Sequence, residues 1–348
     1  MRHAAAVLFL LAVLPAFGQE RIELKLDASE AEAVLTILDK RAAQQPVSDA
    51  DWQGLFKTVP YERLKKREAS LHRDFTDRDF QQFVATLDGK RMDLRRTLDA
   101  WKKADLRAAA ERTMRYLPTE ARIRASVYPM IKPKPNSFVF ETTSDPAIFL
   151  YLDPTIPGRQ FENTVAHELH HIGLASLSAA YEERIQALPP NARKVAEWLG
   201  AFGEGVAMLA AAGSPDVHPV ADFPAADRQR WDEDMKYFSN QQQEVNQFFL
   251  DVVHDSYKNL DAADHQAFTF FGYRGPWYLV GYRMAVTIEK HFGRDALVET
   301  LKDPRQFLAK YNQAAAANHA KGGEPLPLFS DEIQQAVGDQ RPAAAPPK

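Results

Sequence analysis

Cysteine is absent from all 348 residues. That single absence excludes a disulfide scaffold, a Cys-ligated zinc module, an iron–sulfur carrier and a cysteine nucleophile. A basic excess is missing as well. The chain carries 43 Lys+Arg against 47 Asp+Glu, a net charge of −4, so no nucleic-acid partner is expected. No internal repeat is visible and no Asn-x-Ser/Thr sequon occurs. What the chain does have is core material. With 45% hydrophobic and 11% aromatic residues it is not a disordered chain, and at this length roughly 75% of the unfolded surface should be buried in one large or two ordinary domains.

The first eighteen residues read as an address. Met1-Arg2-His3 gives a basic start, and Ala4 to Leu14 form an apolar run that Pro15 ends. Ala16-Phe17-Gly18 then puts small residues at the −3 and −1 positions of a cleavage site. The run is shorter than the roughly 18–20 apolar residues of a spanning helix, and no Cys follows to carry a lipid. Cleavage near Gly18/Gln19 is expected, leaving 42 basic against 47 acidic residues. No later stretch is expected to span a bilayer, so no stable membrane insertion should follow cleavage. Export without cysteine, and without a sequon, fits a periplasmic or secreted bacterial protein.

Four regions are expected along the chain: the signal peptide over 1–18, an N-terminal helical region over 19–118, a larger second domain over 119–339 and a disordered Pro/Ala-rich tail over 340–348. From Asp27 to about Pro118 apolar residues recur at spacings of three and four, as in Val34, Leu35, Leu38 and Leu94, Leu98, Trp101. Asp27-Ala28-Ser29-Glu30 resembles a capping box. After Pro118 the period changes. Ile123, Ala125 and Val127 alternate with Arg122, Arg124 and Ser126, and Ser137–Glu141 and Ala147–Leu152 follow, which makes a small sheet of about three strands. From Phe161 to about Val337 the pattern is again helical, broken at Pro189-Pro190, Gly213–Pro215, Gly272–Pro276 and Gly322-Gly323.

The chemistry is concentrated in Thr164–Gly173, which contains His167-Glu168-x-x-His171. On a helix, residues four apart lie about 40° apart on one face, so two imidazoles can grip one ion. Glu168 is offset by about 100° and can serve as a base without being a ligand. Val165, Leu169 and Ile172 give the same helix an apolar side. His170 could pair with His167 instead, but only the His167/His171 choice leaves a carboxylate in the base position. His170 is therefore read as an outer or exposed residue. A third protein ligand is required of such a site. A third His ten positions after the first is excluded, because Leu177 stands there. Glu204 lies 33 positions after His171 and is flanked by Gly203 and Gly205, which would let its helix approach the metal helix closely. Glu197, one heptad earlier, is the competing candidate.

HELHHIG, followed by FGEGVA, resembles the Glu-ligand (gluzincin-like) branch of the zincin superfamily. The segments YLDPTIPGRQFENTVAHELHHIG and GPWYLVGYRMAVTIEKHFGRDALVE resemble a zinc-dependent peptidase family of exported bacterial proteins, over roughly residues 137–300. The resemblance implies an α+β fold, predominantly helical, with a small mixed sheet next to the HExxH helix. It further implies Zn2+ held by His167, His171 and Glu204, Glu168 as catalytic base, and a peptide or protein substrate. One departure stands out. The best-known enzymes of this branch place an Asp four residues after the ligand Glu, where this chain has Met208. An oxyanion donor is sought in Gly272–Arg283: Tyr278 is the first choice, with Tyr282 and the nearby His265 as alternatives, and simple packing as the plainer role for these aromatics. Two other functions are compatible with the sequence: an exported zinc-binding scaffold without turnover, and a hydrolase of non-peptide amides.

Overall fold

A computed structural model of the chain describes residues 20–271 and 275–338. The signal-like segment 1–18, the tail 340–348 and Gly272, Tyr273 and Arg274 lie outside the described residues. Four strands form one mixed sheet: β1 (Ile22–Leu26), β2 (Ile123–Met130), β3 (Phe138–Phe140) and β4 (Ala147–Tyr151), in the order β1-β2-β4-β3. β1 and β4 run parallel to the central β2, in registers Ile22↔Ile123 and Ser126↔Ala147. β3 closes one edge antiparallel to β4, with Phe138 opposite Phe149.

The three expected strands are all present, and β1 is a fourth. Ile22, Leu24 and Leu26 do alternate with Glu23 and Lys25. Five residues are too few to announce a strand whose only neighbour lies a hundred positions further on.

Helices make up most of the remainder. Before β2 come α1 (Ser29–Ala42), α2 (Asp49–Phe56), α3 (Val59–Ser70), α4 (Asp77–Ala85), α5 (Arg91–Trp101) and α6 (Leu106–Met114). After β4 come α7 (Gly158–Ala175), α8 (Ser178–Ile185), α9 (Pro190–Leu199), α10 (Gly203–Ala212), α11 (Ala225–Met235) and α12 (Phe238–Val253). They are followed by α13 (Leu260–Thr269), α14 (Pro276–Phe292), α15 (Arg294–Thr300), α16 (Pro304–Ala320) and α17 (Asp331–Val337). The architecture is the expected one, mostly helical with a small mixed sheet.

Two apolar clusters organise the fold. In one, the early helices and the sheet enclose the apolar side of α7: Leu38, Leu98, Val127, Ile148, Val165, Leu169 and Ile172 pack together. The other is built by the later helices around Phe202, Val206, Phe249, Trp277, Leu308 and Phe329. α7 starts from a fixed point. The ring of Trp101 stacks on Phe161 at 4.3 Å, and its indole Nε1–H donates to the carbonyl of Ile156.

Two expectations are corrected. Pro190–Ala212, which covers α9, a 3-10 turn over Gly200–Phe202 and α10, is long and apolar enough to cross a membrane by length and composition. Its apolar residues serve the protein's own core instead: Val195, Ala196, Leu199, Phe202, Val206 and Leu209 are all buried. The capping box is also absent. Ala28 is the N-cap of α1 with no side-chain cap, while Asp27 accepts from the Ser29 N–H.

Glu30, far from capping anything, is wholly buried and accepts a hydrogen bond from the Ile131 N–H just past β2. Its second oxygen has no partner. Burial pushes its carboxyl from 4.5 up to about 8, against the opposing pull of the Ile131 N–H and of Lys132. The folded state therefore binds a proton that the unfolded chain releases above about 4.5. Stability from this group is full below that pH and declines as pH rises through about 8. Glu30→Gln should flatten this decline, giving a higher Tm than wild type at pH 8–9 and little difference at pH 4–5 in thermal unfolding followed by circular dichroism.

Candidate metal centre

The 18-residue helix α7 presents a different set of side chains on each of four sides. At 100° per residue, Val165, Leu169 and Ile172 face the sheet, while His167 and His171 share the opposite side. Glu168 sits on one flank of the two imidazoles. Ala166 and His170 lie on the other.

α10 brings the third group. Glu204 Oε2 lies 3.1 Å from His167 Nε2 and 3.1 Å from His171 Nε2, and the two Nε2 atoms are 3.1 Å apart. Three donor atoms thus form a nearly equilateral triangle. A tetrahedral zinc with bonds of about 2.0–2.1 Å sets neighbouring ligand atoms roughly 3.3 Å apart, so the triangle fits one. The chemistry of the set agrees. Two imidazole nitrogens and a carboxylate oxygen facing a common point need either a proton or a metal cation between them. Without a metal the site draws in protons: burial opposes charge on His171, but Glu204 outweighs it and pushes the imidazole up to about 9. Burial would likewise raise Glu204, yet the two imidazoles hold its carboxyl well below the usual carboxylate range. Among the described residues this is the one cluster of His, Asp and Glu whose geometry could hold a metal ion.

Glu197 is not part of it. The 3-10 turn over Gly200–Phe202 breaks the heptad relation between the two glutamates, and Glu197 is exposed and paired with Lys194 at 2.9 Å. Glu204 does lie against the two histidines, but not through both of its flanking glycines. A Cβ on Gly203 would meet only Leu174 Cδ1 at 3.9 Å. A Cβ on Gly205 would lie 1.9 Å from the Tyr282 nitrogen and 2.6 Å from the Gly281 Cα, so it is against α14 that α10 comes backbone to backbone at this glycine; against α7 it packs through Ala211 and Ala166. The interval from His171 to Glu204 holds two helices, α8 and α9, where a simple return helix was expected.

The α10–α14 contact also delivers Tyr278, in the first turn of α14 after Pro276. Its ring stacks on His167, centroids 6.2 Å apart and planes 13° from parallel. Burial raises its hydroxyl pKa first, and the carboxylates of Glu204 and Glu168 raise it further, so the phenol stays protonated. Of the three expected oxyanion candidates, the structure brings only this one to the ligands. Tyr282 packs edge-on against Trp231 in the later-helix core, and His265 is exposed on α13.

His170 is neither exposed nor a ligand, which corrects half of its expected role. It is completely buried and its Nε2–H donates to the backbone carbonyl of Tyr116 at 3.2 Å. Burial, with the two neighbouring imidazoles, lowers its pKa to about 3. Met208 is buried in the apolar cluster, as its chemistry requires. His167 Nδ1 is buried with no hydrogen-bond partner, so the ring is held by stacking on Tyr278 where related sites use a carboxylate.

A predominantly helical α+β chain with a HExxH helix and a glutamate brought alongside is a design of zinc-dependent peptidases. The chain belongs to the family described as "putative zinc dependent peptidase" (DUF5700), which matches it over residues 52–320. The match starts well before residue 137 and so takes in most of the N-terminal helices. No curated protein and no solved structure matches the chain.

The glycine contact makes a differential prediction. Gly205→Ala must separate α10 from α14, because the atoms it meets are backbone. It should cost about 1–3 kcal/mol in denaturant unfolding and weaken metal retention. Gly203→Ala, one residue before Glu204, should be neutral or slightly stabilising by the same measurement.

Proposed function

We propose that the protein is a zinc-dependent metallopeptidase that hydrolyses peptide bonds. The observation that carries this reading is the 3.1 Å triangle of His167, His171 and Glu204, with Glu168 on the same helical turn. Zinc bound there would supply Lewis acidity toward a substrate carbonyl and toward water. The chain's own residues supply the remainder. Glu168 is half-buried on the flank of α7 next to the two imidazoles. It takes the proton of the attacking water and returns it to the leaving nitrogen. Tyr278 keeps its proton and donates a hydrogen bond to the oxyanion as the carbonyl becomes tetrahedral.

One observation favours a second reading, a zinc-binding scaffold without turnover: the orphaned Nδ1 of His167 leaves one ligand without the hydrogen bond that usually raises its basicity. Incubating the zinc-loaded protein with a diverse peptide library and reading products by mass spectrometry separates the two. The same assay on the wild type and on Glu168→Gln tests the mechanism. The variant should retain stoichiometric zinc and lose about 10²–10⁴-fold in turnover, whereas His171→Ala should lose the metal. A folded wild type that takes up no zinc would sink the reading.

Tyr278→Phe should lower kcat by about 10²–10³-fold with a much smaller change in KM, because the hydroxyl acts on charge that develops during the reaction. The basic start, apolar run and small-residue cleavage site of residues 1–18 further support export from a bacterial cell. N-terminal sequencing of the protein recovered from the periplasm or medium should begin at Gln19.

A further inference from the structure

The two imidazoles of α7 reach a common point only at one rotational setting of the helix. Side-chain tips lie about 5–6 Å from a helix axis, so turning α7 by 10° would move each Nε2 by about 1 Å. Metal ligation tolerates distance errors of only about 0.2 Å. The apolar contacts with the sheet fix which face of α7 is buried. They are non-directional, however, and set the angle loosely.

Directional contacts do occur, on the flank next to the ligands. Thr113, at the end of α6, donates its hydroxyl to the carbonyl of Ala166 at 3.0 Å. His170 donates in the opposite sense, from α7 to the carbonyl of Tyr116 at 3.2 Å. Thr113 and His170 are both fully buried. Between the helices Ala109 meets Ala166, with Ala211 of α10 completing the cluster, so small side chains let the backbones come close. The reciprocal pair brackets His167, one bond lying just before it and the other just before His171. Its far end is also held. Tyr116 donates its hydroxyl to Glu289 at 3.2 Å, and Arg294 covers its ring at 4.6 Å.

We propose that Thr113 and His170 are positioning residues, a reciprocal hydrogen-bond staple from α6 that sets the rotation of the HExxH helix and thereby the spacing of the metal donors. The staple rests on the zinc reading above, and it makes the N-terminal helices part of the metal centre's geometry. Neither residue touches the metal or the substrate.

Zinc affinity, measured by competition with a chromophoric chelator, and the visible absorption bands of the cobalt(II)-substituted protein test this on the full chain. Wild type, Thr113→Val, Thr113→Ser, His170→Leu, His170→Gln and Thr300→Val are compared. Thr113→Val and His170→Leu should weaken zinc binding about tenfold or more and shift the cobalt bands. Thr113→Ser and His170→Gln, which keep a donor, should restore both. Thr300→Val removes a buried hydroxyl–carbonyl bond within α15 and should leave affinity and spectrum unchanged. Wild-type affinity and unchanged cobalt bands in Thr113→Val would overturn the staple while leaving the zinc site standing. A wild type without zinc affinity would instead remove the site itself. The isosteric Thr113 pair decides the matter if His170→Leu does not fold.

Discussion

Two imidazole nitrogens and one carboxylate oxygen stand 3.1 Å apart at the meeting of two helices, and the rest of the structure has to hold them there. Their lone pairs face one another and need a proton or a metal cation between them, and the surrounding packing has to keep all three groups at that spacing. α7 is clamped on three sides. The sheet packs on its apolar face, α6 staples one flank, and α10 presents Glu204 to its ligand face. α10 is in turn fixed by α14, which it approaches so closely that only glycine fits at residues 205 and 281.

That close approach couples two side chains. Because α10 and α14 meet at Gly205 and Gly281, Glu204 and Tyr278 arrive at the same place on separate helices. Tyr278 stacks over the face of the His167 ring, and Met208, which stands where related enzymes place an orienting Asp, is buried in the apolar core. The site gives up a hydrogen bond on His167 Nδ1 and gains an aromatic wall that also carries a hydroxyl.

Much of this was legible in the sequence, and the misses share a cause. The histidine pair and the glutamate beside it were readable because the first is fixed by 3.6 residues per turn and the second came from a short list of candidate carboxylates. The three strands after Pro118 were readable because their alternation is strong. β1 was not, since a five-residue edge strand depends on a partner a hundred residues away. Glu30 looked like a capping residue and is a buried neutral acid, because burial is decided by what folds over it. His170 looked expendable since the carbonyl it holds lies 54 positions earlier.

The sequence by itself determined much of what can bind a metal: without cysteine no thiolate ligand is available, and helical periodicity puts two imidazoles on one face. Tertiary structure alone decided the rest. It brought Glu204 and not Glu197 to the two histidines, brought Tyr278 and not Tyr282 or His265 against His167, and set Gly205 against α14. The physical reason is range. Ligand identity follows from bonding within one helical turn, whereas the angle at which helices meet depends on side chains far apart in the chain.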